Sequence, residues 1–186
     1  MKKVTALFSL SMLILTGCDK DTGLPPYTAT IFLEDFEDVE NGIILNLSGW
    51  TNYSAEGNTS WHGEVYNGNN YAALENSGDA SVVTWLVSPA INLSADKRTL
   101  SFLSAQHHLM PESSLEVYLS TNFNGDPETA DWIPLEATIA DSNDQWYSFI
   151  SSKEIDLANY SGTVHIAFKA MIQNEGAYFL DNVKIY

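Results

Sequence analysis

Residues 163–171 read TVHIAFKAM. Val164, Ile166, Phe168 and Ala170 fall at every second position, with His165 and Lys169 between them. A period of two puts the four apolar side chains on one face of a strand and the polar pair on the other. One apolar and one polar face describe an antiparallel strand buried on one side only. The stretch SLEVYLS (114–120) repeats the pattern through Leu115, Val117 and Leu119. TIFLEDFE (30–37), SVVTWLVS (81–88), TLSFLSA (99–105), QWYSFIS (145–151) and YFLDNVKIY (178–186) share the β-branched and aromatic composition of strands. Asn41-Gly42, Gly78-Asp79, Asn124-Gly125-Asp126-Pro127 and Ser161-Gly162 punctuate as turns. No segment sustains a helical period, and residues 128–132 offer one helical turn at most. Many short strands joined by turns predict an all-β antiparallel sandwich of two sheets. Trp85, inside SVVTWLVS, is expected in its core.

The N-terminus reads differently. Lys2 and Lys3 precede an apolar run from Val4 to Leu15, too short to span a bilayer as a helix. A positive start, a short apolar stretch and small residues after it make a secretory signal. Leu15-Thr16-Gly17-Cys18 resembles the bacterial lipobox, whose cysteine is acylated and becomes the new N-terminus. Cys18 is the chain's single cysteine, so lipid attachment explains why one thiol is kept there. Three acyl chains give stable membrane anchoring. Asp19-Lys20-Asp21 resembles the acidic export signal of surface lipoproteins in Bacteroidetes-type bacteria. The expected organisation is a signal over 1–17, a Pro-stiffened tether over 18–29 and one domain over 30–186. The expected location is the outer membrane, facing the cell surface.

Losing Lys2 and Lys3 takes the formal charge from −16 to −18. Such a surface repels phosphate, which excludes nucleic acid and anionic headgroups as partners. Aromatic residues make up 12% of the chain and charged residues only 17%, against a disordered chain. With no second cysteine there is no internal disulfide, which leaves a structural Ca²⁺ as the candidate stabiliser. EDFEDVENG (34–42) gathers Glu34, Asp35, Glu37, Asp38 and Glu40. Near the other end, Asp181 is read on one face with Phe179, Val183 and Ile185, where an unpaired carboxylate is costly. If the first and last strands are neighbours, Glu37 and Asp181 share one hard cation, with Asp35 beside them as a third candidate ligand. The alternative is that the acids form a solvated edge and Asp181 caps a turn.

The segments FLEDFE, GWT, NYAAL, WLVSPAINLS, LSF, VYLSTNFNGDP and YFLDNVKI occur in this order between Phe32 and Tyr186. Together they resemble the cleaved-adhesin or choice-of-anchor J type domains of Bacteroidetes surface proteins. More distantly they are similar to MAM domains and to calcium-containing carbohydrate-binding modules. The resemblance implies a two-sheet jelly roll with a structural Ca²⁺ near the paired N- and C-terminal strands, and it carries the acid ligands onto Glu37 and Asp181. Related modules often have Asp-Asp where this chain has Asp181-Asn182, and MAM cysteines are absent here.

Trp61, Tyr66 and Trp132 lie in polar, Gly- and Asn-rich surroundings and are the candidate ligand-stacking residues; the alternative for each is packing under a loop. His107-His108 reads as an exposed loop pair and NFNGD (122–126) as a hairpin turn. No nucleophile elbow, zincin motif or phosphate-cradling glycine loop occurs. The expected function is a non-catalytic, lipid-anchored surface module that binds a glycan or a surface protein. A structural subunit of a surface uptake complex comes second and a glycan-active enzyme third.

Overall fold

The computed structural model describes residues 29–93 and 98–186. The signal, Cys18 and the tether up to residue 28 lie outside the described residues. Among those described, every regular element is a strand. They are β1 (Phe32–Glu34), β2 (Thr51–Glu56), β3 (His62–Tyr66), β4 (Asn69–Asn76), β5 (Ser81–Val87), β6 (Ile91–Leu93) and β7 (Thr99–His107). After them come β8 (Ser114–Ser120), β9 (Ile133–Leu135), β10 (Ile150–Ser151), β11 (Ile155–Asp156), β12 (Gly162–Gln173) and β13 (Gly176–Ile185).

The first sheet runs β10–β7–β13–β4–β3, with β11 also on β7 and β1 also on β13. The second runs β2–β5–β12–β8–β9, with β6 also on β12. The inner faces meet in one core. Val164, Ile166, Phe168, Ala170 and Ile172 of β12 point into it, as the alternation requires, and so do Leu115, Val117 and Leu119 of β8. From the first sheet come Leu100 and Phe102 of β7, Ala72 and Leu74 of β4, and Tyr178 and Leu180 of β13. Phe102 meets Phe168 edge-on across the sandwich at 5.1 Å, a favoured aromatic geometry.

Three expectations change. QWYSFIS contributes only Ile150 and Ser151 to a strand; Tyr147 has φ 57°, so the chain turns there instead of extending. Trp85 is buried, but on the outer face of the second sheet, because alternation sends its neighbours Thr84 and Leu86 inward. The face assigned to Asp181 is also corrected. Phe179 packs on the outer face of the first sheet, whereas Val183 and Ile185 enter the core. A bulge between Asp181 and Lys184, where Asn182 has φ 51°, shifts the pleat by one residue. One extra residue in a strand reverses every side chain beyond it.

β3 and β4 are not visible as alternating runs, since HGEVY and NNYAALEN mix residue types. Their hairpin is nevertheless encoded at Asn67-Gly68, with φ 53° and 82°. Two positive φ angles make the turn whose twist suits a two-residue hairpin.

Candidate functional site

The outer face of the first sheet carries a groove of about 300 Å³. Strand register builds it. Glu75, Ala177 and His107 lie in one row across β4, β13 and β7. His62, Ala73, Phe179 and Ala105 form the next, across β3, β4, β13 and β7. Glu64 and Tyr71 pair in the row beyond. Alanines at mid-sheet leave a low floor, and longer side chains on the flanking strands stand as walls. On the β3 side the rim is completed by Asn41 and Gly42. Gly42 N donates to Gly63 O at 2.8 Å, and Val65 N donates to Asn41 Oδ1 at 3.0 Å. That rim fits only because residue 63 is glycine: a Cβ there would lie 2.6 Å from Glu40 O.

The opposite wall is aromatic. Tyr147 stacks on Phe179 at 5.2 Å and on His107 at 4.8 Å, and Tyr66 stacks on Tyr147 at 5.6 Å. Trp146 stacks on His108 at 5.1 Å. Trp146, Tyr66 and Tyr147 are 52%, 53% and 40% exposed, so large ring areas face solvent beside the groove. β7 fixes this loop through Gln106: Tyr147 N donates to Gln106 O at 2.9 Å and Gln106 Nε2 donates to Asp144 O at 2.6 Å. Tyr71 donates its phenol to Glu64 Oε1 at 3.1 Å. Burial, then the Glu64 carboxylate, raises the Tyr71 phenol above its ordinary range. Burial also raises that of Tyr147, with Glu64 and Glu75 adding to it. Two carboxylates therefore act on the same ring from different strands.

The three sequence-predicted ligand aromatics do not converge. Tyr66 stands beside the groove, stacked on its Tyr147. Trp132 lies on the opposite outer face, in a cluster with Trp85 at 5.3 Å, Phe123 at 5.7 Å and Tyr118 at 6.4 Å, under the Lys169 ammonium on Trp85. Trp61 is corrected: it is 0% exposed, packed in the inter-sheet core, and has no ring surface to offer a ligand. Its polar neighbours suggested exposure, but its backbone is held by Asn52, nine residues away. Asn52 Oδ1 accepts from Trp61 N at 3.1 Å, and Asn52 Nδ2 donates to Trp61 O at 2.7 Å. In the sequence Trp146 and Tyr147 stand among the aromatics able to stack on sugars, inside a stretch read as a strand, and Glu75 carries no signal.

The candidate metal residues occupy a second place. β13 exchanges partners along one edge: β4 pairs with Gly176–Leu180 and β1 with Val183–Ile185. Asp181 sits at the exchange, 2% exposed. Its Oδ2 accepts from Asn69 Nδ2 at 3.1 Å and its Oδ1 from Asn182 N at 2.7 Å. Burial raises its pKa, and the Glu37 carboxylate adds to that rise. Glu37, itself exposed, thus acts on Asp181 as a like charge. Asp35 instead accepts from Glu37 N at 3.3 Å, within its own turn. The three acids do not form a cluster: among the described residues no group of three or more His, Cys, Asp or Glu is arranged to hold a metal.

No family model and no curated protein matches the chain. Solved structures do. The K3 cleaved adhesin domain of Lys-gingipain from Porphyromonas gingivalis superposes with a TM-score of 0.58 at 21% identity, over 84% of this chain and 97% of that one. The K1 domain of the same protein gives 0.57 at 20% identity, over 86% and 98%. Its K2 domain gives 0.58 at 17%, over 83% and 98%. The chain has the cleaved adhesin fold. The groove lies on the outer face of its β7–β13–β4–β3 sheet.

Proposed function

We propose that this chain is a non-catalytic binding module that takes a glycan in the groove over Phe179. The observation that supports it is the exposed Tyr66–Tyr147 stack and Trp146 beside a groove walled by Asn41, His62, Glu64, Glu75 and His107. Flat aromatic faces suit the apolar faces of hexose rings, and convergent amide, imidazole and carboxylate groups suit their hydroxyls. Selective retention on a glycan array, without turnover and lost in Tyr147→Ala, is the expected result. Turnover would make the domain an enzyme; retention on immobilised matrix proteins alone would make its ligand a protein.

Two further parts of the proposal concern how the module is held. Cys18 carries the acyl anchor that displays it on the outer membrane, a reading supported by the LTGC motif after a short apolar run. A Ca²⁺ at Asp181 stabilises the fold. What supports this reading is that Asp181 is a buried carboxylate that receives only neutral donors, while the charge acting on it is the like-signed Glu37. Oxygen donors from irregular backbone and few carboxylates match calcium's flexible coordination. The ion would bind the β1 turn, the start of β4 and the β13 bulge together.

A further inference from the structure

The groove has a sign as well as a shape. Its lining contains two carboxylates, Glu64 and Glu75, and neither Lys nor Arg. Lys169 stands over Trp85 on the other sheet and Lys184 over Tyr186, both away from the groove. Glu64 projects from β3 and Glu75 from β4, and both act on the Tyr147 phenol. A ligand ring stacked against Tyr147 therefore lies within the field of two carboxylates from different strands. Tyr66, Tyr147 and Trp146 add the negative faces of their rings, which attract cations.

We infer that the groove selects an amine-bearing saccharide, a 2-amino-2-deoxyhexose chain, over its N-acetylated counterpart, and rejects uronate and sulfate sugars. This rests on the reading of the groove as a glycan site. Successive ammonium groups along the chain supply donors to Glu64 and Glu75, which stand two rows apart on the sheet, and the pyranose face lies on the aromatic wall. Acetylation removes the charge and keeps the ring, so it separates the two contributions. His62 and His107 share the groove. The comparison is made at one fixed pH, low enough to keep the sugar amine protonated.

The test is direct titration of the full chain with glucosamine oligomers, N-acetylglucosamine oligomers of equal length, oligoglucuronate and oligolysine. The amine form is expected to bind roughly fivefold more tightly than the acetylated form, as an exposed charge pair allows. Oligoglucuronate is expected not to bind. Glu64→Gln and Glu75→Gln are expected to bring the amine-to-acetyl ratio toward one, and added salt to do the same. Glu116→Gln, on the opposite sheet, is expected to leave the ratio unchanged. Equal affinity for the two sugars, or a ratio insensitive to Glu64→Gln and Glu75→Gln, overturns the selection for amines and leaves the glycan site standing. Binding of oligolysine with no sugar bound overturns both and makes the groove a site for basic peptide.

Discussion

Asn69 and Asp181 are joined by a 3.1 Å hydrogen bond, from the amide that opens β4 to the carboxylate at the bulge of β13. The bond spans 112 residues of sequence. It lies where β13 gives up β4 and takes β1, and so seals a break in the sheet. A neutral amide is a weak counterpart for a buried carboxylate beside Glu37.

The first expected outcome follows from that imbalance. A ligand bound only by the folded state stabilises by about 2.7 kcal/mol at a hundredfold excess over Kd. For a domain of this size that is about 5–10 °C in melting temperature. Chelator should lower the wild-type melting temperature, and Ca²⁺ should restore it where Mg²⁺ does not. Asp181→Asn removes the buried charge, so in chelator it should melt no lower than wild type, yet gain nothing from calcium. Melting curves indifferent to chelator would remove the ion from the site.

Asn52 gives a second outcome. Its side chain receives Trp61 N and donates to Trp61 O and Leu45 O. Trp61 O also accepts from Leu45 N at 2.9 Å, so the amide matters most for Trp61 N, which donates to it at 3.1 Å. Asn52→Ala takes the partner from Trp61 N, at about 1–3 kcal/mol for an unsatisfied buried group. Melting temperature should fall by roughly 2–10 °C, with glycan retention by the folded protein intact. A fall within error would mean that water replaces the amide.

Alternation at β8 and β12 placed each inward side chain, because a period of two has one solution when one face is buried. The same rule misplaced Asp181 relative to Val183, because a bulge leaves no mark in residue type. Trp61 and Trp132 read alike, as aromatics among polar neighbours, yet one is core and the other covers Trp85. Polar residues flank the buried Trp61 as they flank the part-exposed Trp132, and composition does not separate the two. The groove was the least legible feature. Glu64, Glu75, His107 and Tyr147 are scattered over 84 residues and meet only through the β3–β4–β13–β7 register.

Alkaline pH probes the tyrosines. Burial raises the Tyr71 and Tyr178 phenols above their usual range, and burial with Glu116 raises that of Tyr118 to about 12. A raised folded-state pKa means that the folded chain holds its proton after the unfolded chain has lost it. The stability these groups give is complete below about pH 10 and is lost as pH rises through the folded-state values. Melting temperature should fall steadily above pH 10, and Tyr178→Phe, which has no proton to lose, should flatten that fall. Equal alkaline slopes for wild type and Tyr178→Phe would show that Tyr178 titrates normally.

The aromatic residues separate folding from binding, which makes them the sharpest check on the groove. Trp61 fills the core, and Trp61→Ala should cost about 3–5 kcal/mol and remove much of the domain's stability. Trp132 covers Trp85, so Trp132→Ala should lower the melting temperature modestly and leave the folded protein's glycan affinity unchanged. Tyr147 is part exposed and stacks on the groove residues Phe179 and His107 and on Tyr66 beside them. A stacked ring contributes about 0.5–1.5 kcal/mol beyond its buried area. Tyr147→Ala should therefore weaken glycan retention by about tenfold, with a melting temperature close to that of wild type. Tyr66→Ala should do the same to a smaller degree, since Tyr66 reaches the groove through Tyr147. If Trp132→Ala abolishes retention while Tyr147→Ala leaves it intact, the ligand lies on the second sheet, and the groove over Phe179 is only a surface feature of the fold.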